Sequence, residues 1–301
     1  MPQGDYMPEG MLIDGEKNKS YTLGHTGMMK AMADGAILEA TAAMCDSKHN
    51  LIIDFGDIKG IIPRDEAAVG IESGRVRDIA IISKVGKPVC FKVIGREDDC
   101  YILSRKRAQQ EALDWFMEHV ENGEIIRSTV THLEPFGAFV DMGCGNISLI
   151  GIENISVSRI AHPADRFYTG QNIYAAVLSK NNSISRAVLT HRELLGTWQQ
   201  NSDRFMCGQT TIGTVRGIED YGIFVELTPN LSGLAEAREG VKVGDSVSVF
   251  IKSIIPDRMK VKLIIIDTLA KRGPSFISDS DYFMKSGKLD SWVYSPCCCR
   301  G

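Results

Sequence analysis

A six-residue pattern occurs twice in this sequence, 85 residues apart: Phe136-Gly137-Ala138-Phe139-Val140-Asp141 and Tyr221-Gly222-Ile223-Phe224-Val225-Glu226. A weaker copy, His49-Asn50-Leu51-Ile52-Ile53-Asp54, lies 87 residues before the first and has lost both aromatics. Self-similarity at a fixed period takes precedence over any other fold signal. The flanks repeat too. A Gly and a β-rich run precede each copy, at Gly35, Gly123 and Gly208. A short apolar segment follows each, at Gly60-Ile61-Ile62-Pro63, Ser148-Leu149-Ile150-Gly151 and Gly233-Leu234-Ala235-Glu236. A Gly-led alternating strand comes next, from Gly86, Gly170 and Gly244, and a last short strand closes each unit. Five short strands in about 70 residues, separated by Gly-marked turns, suggest a small β-barrel. Closure removes the two edges that so short a sheet would expose.

The fold class expected is therefore all-β with helical connectors, in three tandem five-stranded barrels. The units are residues 29–107, 123–190 and 208–267. Residues 1–28 are polar and Gly-rich and read as a mobile tail. The connector 108–122 continues a helix that begins after Ser104, with Ala108, Ala112, Leu113, Phe116, Met117 and Val120 at helical spacing, Ser104 as N-cap and Gly123 as the stop. A weaker helix is expected over residues 190–200 within the connector 191–207, and a short one near 157–167 inside the second unit. The extension 268–301 carries aromatics without a trusted period and is expected to dock on the third barrel. Trp115 and Trp198, on the connectors, read as interdomain packing.

With 34 basic and 38 acidic side chains among 301 residues, the formal net charge is -4. Taken alone, that argues against a surface coated with positive charge to grip nucleic acid. The acidity is uneven, however. Residues 108–122 hold four acids and no Lys or Arg, whereas residues 123–196 carry six of each sign. The second unit is nearly neutral, so any nucleic acid it holds must be held mainly by stacking, with a few placed cations.

The beginning of the chain shows no basic region followed by an apolar core, and no apolar run approaches the roughly 20 residues a spanning helix needs. A cytoplasmic protein without membrane contact is expected. Cys45, Cys90, Cys100, Cys144 and Cys207 are scattered without C-x-x-C spacing and read as reduced thiols, and Cys297-Cys298-Cys299 has no nearby His to complete a metal site. No phosphate loop, zinc-protease or nucleophile-elbow motif is present. Glu97-Asp98-Asp99 falls between the last two strands of the first unit and reads as a solvated turn rather than a metal site. No enzyme, cofactor or metal is expected.

The Gly-led strand, the Phe136–Asp141 pattern, the apolar turn and the closing Leu103-Ser104 or Leu189-Thr190 resemble the RNA-binding repeat of bacterial ribosomal protein S1. The resemblance spans about residues 30–267 and is strongest in the second unit. Gly60 to Glu66 and Leu103 to Gln109 resemble the ribosome-proximal repeats of that family. It implies an OB-fold for each barrel, single-stranded RNA (mRNA) as ligand, and association with the small ribosomal subunit in translation. The chain departs from the family at Pro63, Gly151 and Glu236, where a His is often found. The family's basic residue entering the last strand falls on Arg186 and Lys260, but on Cys100 in the first unit, which points that unit toward docking on a protein instead.

Side-chain rings offer stacking platforms that tolerate any base, at roughly 1–3 kcal/mol per base. Phe136 and Phe139, and Tyr221 and Phe224, are the candidate platforms, with Arg186 and Lys260 meeting phosphate or base; His132 and Lys180 are possible further contacts. The competing reading puts the rings inside the barrels. Strand parity opposes it: Val140 and Val225 read as core, which turns Phe139 and Phe224 outward. Two rival functions remain open from sequence: a free RNA-binding regulator or RNA chaperone, and a protein-interaction module with little RNA binding.

Overall fold

In a computed structural model, which describes residues 3–270 and 273–295, the repeat becomes three closed five-stranded barrels. Barrel one comprises β1 (Ile37–Cys45), β2 (Leu51–Asp54), β3 (Lys59–Ile62), β4 (Pro88–Glu97) and β5 (Cys100–Ser104). Barrel two comprises β6 (Ile125–Glu134), β7 (Gly137–Asp141), β8 (Ile147–Gly151), β9 (Asn172–Asn181) and β10 (Arg186–Thr190). Barrel three comprises β11 (Thr210–Glu219), β12 (Gly222–Thr228), β13 (Leu231–Ala235), β14 (Ser246–Ile255) and β15 (Lys260–Leu269). In each, the neighbour order is first, second, third, fifth, fourth, and the third and fifth strands run parallel. This is the OB-fold topology.

The sequence alternation drives closure. Along the first four residues of β10 and the first seven of β15, exposed and buried side chains alternate, so one face of each strand fills the barrel. Val140 and Val225 are fully buried, in the cores of barrels two and three respectively. The first strand carries a register shift at the same place in all three barrels, between Ala42 and Met44, Val130 and His132, and Val215 and Gly217. A bulge bends a strand and increases its twist, which helps so few strands to close. Asp98-Asp99 forms the β4–β5 turn after Glu97 ends β4, with Asp98 at φ 51°.

Short helices join and cap the barrels: α1 (Glu16–Thr22), α2 (Gly24–Asp34), α3 (Ile79–Ile82), α4 (Arg105–His119) and α5 (Trp198–Ser202). The Ser104 hydroxyl accepts from Arg107 N, capping α4, and Ala108, Ala112 and Phe116 are buried on its inner face.

Four expectations are corrected. The first residues are not a loose tail. Met28 and Ala31 of α2 enter the core of barrel one, and the Gln3 side chain exchanges hydrogen bonds with Arg127 and Met142 of barrel two. Polar residues that read as solvated instead satisfy buried backbone groups. The helix expected over residues 190–200 splits into a 3₁₀ turn (Arg192–Leu195) and α5, because Gly196 lies between them at φ 81°. A Cβ there would come within 2.5 Å of the Phe283 ring, so the position requires glycine twice over. The helix expected near 157–167 is a 3₁₀ turn at Pro163–Asp165; proline holds His162 extended and prevents a helix from running through.

The fourth correction concerns the C-terminal extension. It packs mainly on barrel two rather than barrel three: Ile277 joins the barrel-two core, Tyr282 bonds to His191, and Leu289 N donates to Gly123 O. Only near Tyr294, whose hydroxyl donates to Asn230 O, does it reach barrel three. Trp198 is buried in the barrel-three core, and Trp115 lies between Tyr6 and His119. Cys297-Cys298-Cys299 lies outside the described residues.

Candidate nucleic-acid interface

Strand register places two of the predicted residues of barrel two, His132 and Phe139, in one row across its outer face. His132 on β6 pairs with Phe139 on β7, Phe139 with Leu149 on β8, and Leu149 with Val188 on β10. The corresponding row of barrel three is Gly217, Phe224, Leu234 and Lys262. In barrel one it is Met44, Ile52, Ile61 and Ile102, aliphatic throughout. The loss of both aromatics in the first copy of the repeat thus removes the rings from a face that otherwise has the same construction.

Each face is completed by a ring from the hairpin turn. Phe136 meets Phe139 at 5.9 Å between centroids and 90°, and Tyr221 meets Phe224 at 6.1 Å and 90°. Phe136 is 56% exposed and Tyr221 is 70% exposed, far more than a core ring would be. Phe139 and Phe224 are half-buried, with one side covered by the row and the other open. The glycine between the rings is needed for close approach. A Cβ on Gly137 would stand 2.5 Å from Ile150 O, and one on Gly222 would stand 2.5 Å from Ala235 O. These contacts hold the turn against the third strand and fix the edge-to-face pair.

Arg186 opens β10 and Lys260 opens β15, both exposed, each two residues before the row position on its strand. Cys100 occupies the matching place in barrel one, at the start of β5. His132 is exposed; its ring stacks at 28° on Phe139, and its Nε2 lies 2.7 Å from Glu134 Oε1. Lys180 is engaged elsewhere. Its ammonium donates to the carbonyls of Met117 and Val120 at the C-terminal end of α4, where a cation satisfies carbonyls the helix leaves open. Sequence reading missed Lys262, Leu149 and Leu234. Lys262 was legible from the Lys260–Lys262 alternation along β15; the two leucines are defined only by the cross-strand pairing.

The molecule carries three OB-fold barrels, two of which present a ring pair and a cation-bearing strand on one open face. No described helix is long and apolar enough to cross a membrane. Residues 119–192 match the model of the S1 RNA binding domain. The chain is 28% identical over 232 residues to the small ribosomal subunit protein bS1 of Leuconostoc lactis, covering 72% of this chain and 53% of that protein. It is 26% identical over 284 residues to bS1 of Staphylococcus aureus strain N315, covering 88% and 69%. A multidomain protein with nucleic acid binding domains from Streptococcus pneumoniae aligns over 77% of this chain and 74% of its own, at 12% identity and a TM-score of 0.25. The chain spans about half the length of the Leuconostoc protein. The chain is similar to bacterial ribosomal protein S1 over most of its length, and its second barrel matches the S1 RNA binding domain.

Proposed function

We propose that this protein binds single-stranded RNA on the outer faces of barrels two and three and serves translation by holding mRNA at the small ribosomal subunit. The observation that carries this reading is the twofold recurrence of one ring geometry. Two barrels separated in sequence present the same edge-to-face pair, at 5.9 and 6.1 Å, on the same strand row. Core packing does not demand an exposed ring pair, whereas unstacked bases do use one. The nearly neutral charge of barrel two fits this mode of binding: stacking supplies most of the affinity, and Arg186, Lys260 and Lys262 supply local contacts to phosphate.

Barrel one, with its aliphatic row and Cys100 in the cation's place, is assigned to docking on a protein. The chain has no catalytic role in this reading and acts in the cytoplasm. Titration of a labelled single-stranded RNA against salt tests the binding. Affinity should fall with rising salt, but with a shallow slope, because few phosphates are neutralised. Absence of RNA binding at low salt would leave the barrels as protein-interaction modules. Co-sedimentation with small ribosomal subunits separates a translational role from that of a free RNA-binding regulator.

A further inference from the structure

Barrels two and three do not simply follow one another; they are clamped together with an open cleft of about 430 Å³ at the junction. Its lining includes Ile152, Glu153, Arg159 and Arg192 from the barrel-two side, and Trp292 and Tyr294 from the C-terminal extension. The Arg192 guanidinium lies over the Trp292 ring, 5.6 Å from its centroid, and Trp292 meets Tyr294 at 5.8 Å and 38°. The Arg192 side chain remains 36% exposed. Arg159 is exposed, and its side chain makes no hydrogen bond or ion pair among the described residues. Arg192 Nε also donates to Glu193 Oε1 at 3.1 Å, which leaves Arg159 as the cation without a carboxylate partner, beside the Glu153 carboxylate and a layered cation–aromatic stack.

The rings themselves do not line the cleft, but its lining residues are bonded to segments beside both ring-bearing faces. On one wall, Ile152 N donates to the carbonyl of Phe136, the outermost ring of barrel two. On the other, the Tyr294 hydroxyl donates to Asn230 O between β12 and β13, and Ser158 bonds to Ser232, two residues before Leu234 in the barrel-three row. The clamp fixes this spacing: Asn230 accepts from Val157 N at 2.9 Å and donates to the carbonyls of Arg192 and Gly196, both at 2.8 Å.

We propose that this cleft is a nucleotide subsite, through which one RNA strand passes from the face of barrel two to that of barrel three. The proposal rests on the RNA-binding reading above and extends it. A base stacks on the open side of the Arg192 guanidinium, whose other side is backed by Trp292; such a plane accepts a base as an aromatic ring does. Arg159 meets the adjoining phosphate, and the Glu153 carboxylate accepts from a base N–H, such as N3–H of uracil. Because the two faces and the cleft are held at fixed spacing, a strand long enough to reach all three gains by effective concentration, not only by contact.

The test uses the full chain and two oligouridines carrying 4-thiouridine: one of about 4 nucleotides, within the reach of a single barrel, and one of about 20, able to span two. Arg159→Ala, Arg192→Ala and Trp292→Ala are compared with the unaltered protein, with thermal melting as the check on folding. The expected result is a loss of about tenfold in affinity for the long oligomer in Arg192→Ala and Trp292→Ala, and a smaller loss in Arg159→Ala, with little change for the short one. Photocrosslinks from the long oligomer should map to Trp292 or Tyr294 as well as to the barrel faces. Crosslinks on the faces alone, with long-oligomer affinity unchanged in all three variants, overturn the subsite and leave the RNA reading standing. Binding of neither oligomer to the unaltered chain overturns the RNA reading itself, and the subsite with it. A proline-rich peptide that binds the unaltered chain but not Trp292→Ala, while RNA binding is unaffected, assigns the cleft to protein and likewise overturns the subsite.

Discussion

Arg166 of barrel two reaches across the junction and donates to Glu226 of barrel three, with the two side chains 0% and 4% exposed. Glu226 also accepts from Arg216 Nε at 2.9 Å, and Arg166 Nε donates to Ser156 Oγ at 3.2 Å. Burying two charges costs most of what their attraction returns, so such a pair contributes little net stability, but removing one partner leaves the other charge stranded. Glu226→Ala should therefore destabilise the protein by about 3–5 kcal/mol. Adding Arg166→Met in that background should restore a large part of the loss. Urea denaturation of the single and double variants measures both. A single variant as stable as the parent would mean that water reaches the pair and that the clamp between the barrels is looser than drawn.

Phe139 and Phe224 project outward from strands whose inward neighbours, Ala138, Val140, Ile223 and Val225, fill the cores. Replacing both by Ala should leave the melting temperature nearly unchanged. Each lost platform should weaken single-stranded RNA binding by about 1–3 kcal/mol. Lys262→Ala, which removes the cation at the end of the barrel-three row, should cost less and reduce the salt dependence of binding. Fluorescence anisotropy with a labelled oligomer reads all of these. Undiminished affinity in the double variant would remove RNA from these faces.

The architecture was written in the sequence because closure of a small barrel depends on alternation and turn glycines, both local signals repeated three times. The outward ring positions were legible for the same reason, since parity against Val140 and Val225 decides them. The rest depends on contacts between segments distant in sequence. Nothing local distinguishes the Gln3 amide, paired across 124 residues with Arg127, from a solvated one. Nor does the aromatic spacing of the extension announce that Ile277 plugs barrel two while Trp292 comes to lie under Arg192. The row partners Leu149 and Leu234 are ordinary apolar residues until register sets them beside a ring.

Lys180 shows how position on a strand can mislead. It lies on β9 beside Ala187, one residue from Arg186, where a cation reads as a contact for RNA. Its ammonium is instead committed to the carbonyls of Met117 and Val120. Lys180→Met should leave RNA affinity within about twofold and cost about 1.5–3 kcal/mol of stability, the usual worth of hydrogen bonds to a charged group. Thermal melting and the RNA titration, run on the same variant, separate the two roles. A large loss of affinity in a protein of undiminished stability would return Lys180 to the interface.

His191 joins barrel two to the extension and should make the protein sensitive to acid. The ring is fully buried; Nδ1 lies 2.8 Å from Ile155 O and so carries the proton, which leaves Nε2 to accept from the Tyr282 hydroxyl at 2.9 Å. Burial, with a smaller contribution from the nearby Arg166 charge, pushes the imidazole down to about 4, although its hydrogen bond to Ile155 favours the charged form. In the unfolded chain a histidine titrates near 6.5. Between these values the unfolded state binds more protons than the folded one, so the contribution of His191 to stability is fully present above about pH 6.5 and is lost as pH falls toward 4. The loss amounts to about 3 kcal/mol at most. Asp141 works in the opposite direction. Burial and the neighbouring Glu9 charge raise it to about 7, so its contribution declines as pH rises from about 4 to 7. The two slopes overlap, so total stability alone would hide both. The difference between the unaltered protein and His191→Gln isolates the histidine and should narrow steadily as pH is lowered from 7 to 4. The imidazole resonances of His191, followed by NMR, should stay those of a neutral ring at pH 5; a His191 midpoint near 6.5 would contradict the buried, neutral assignment.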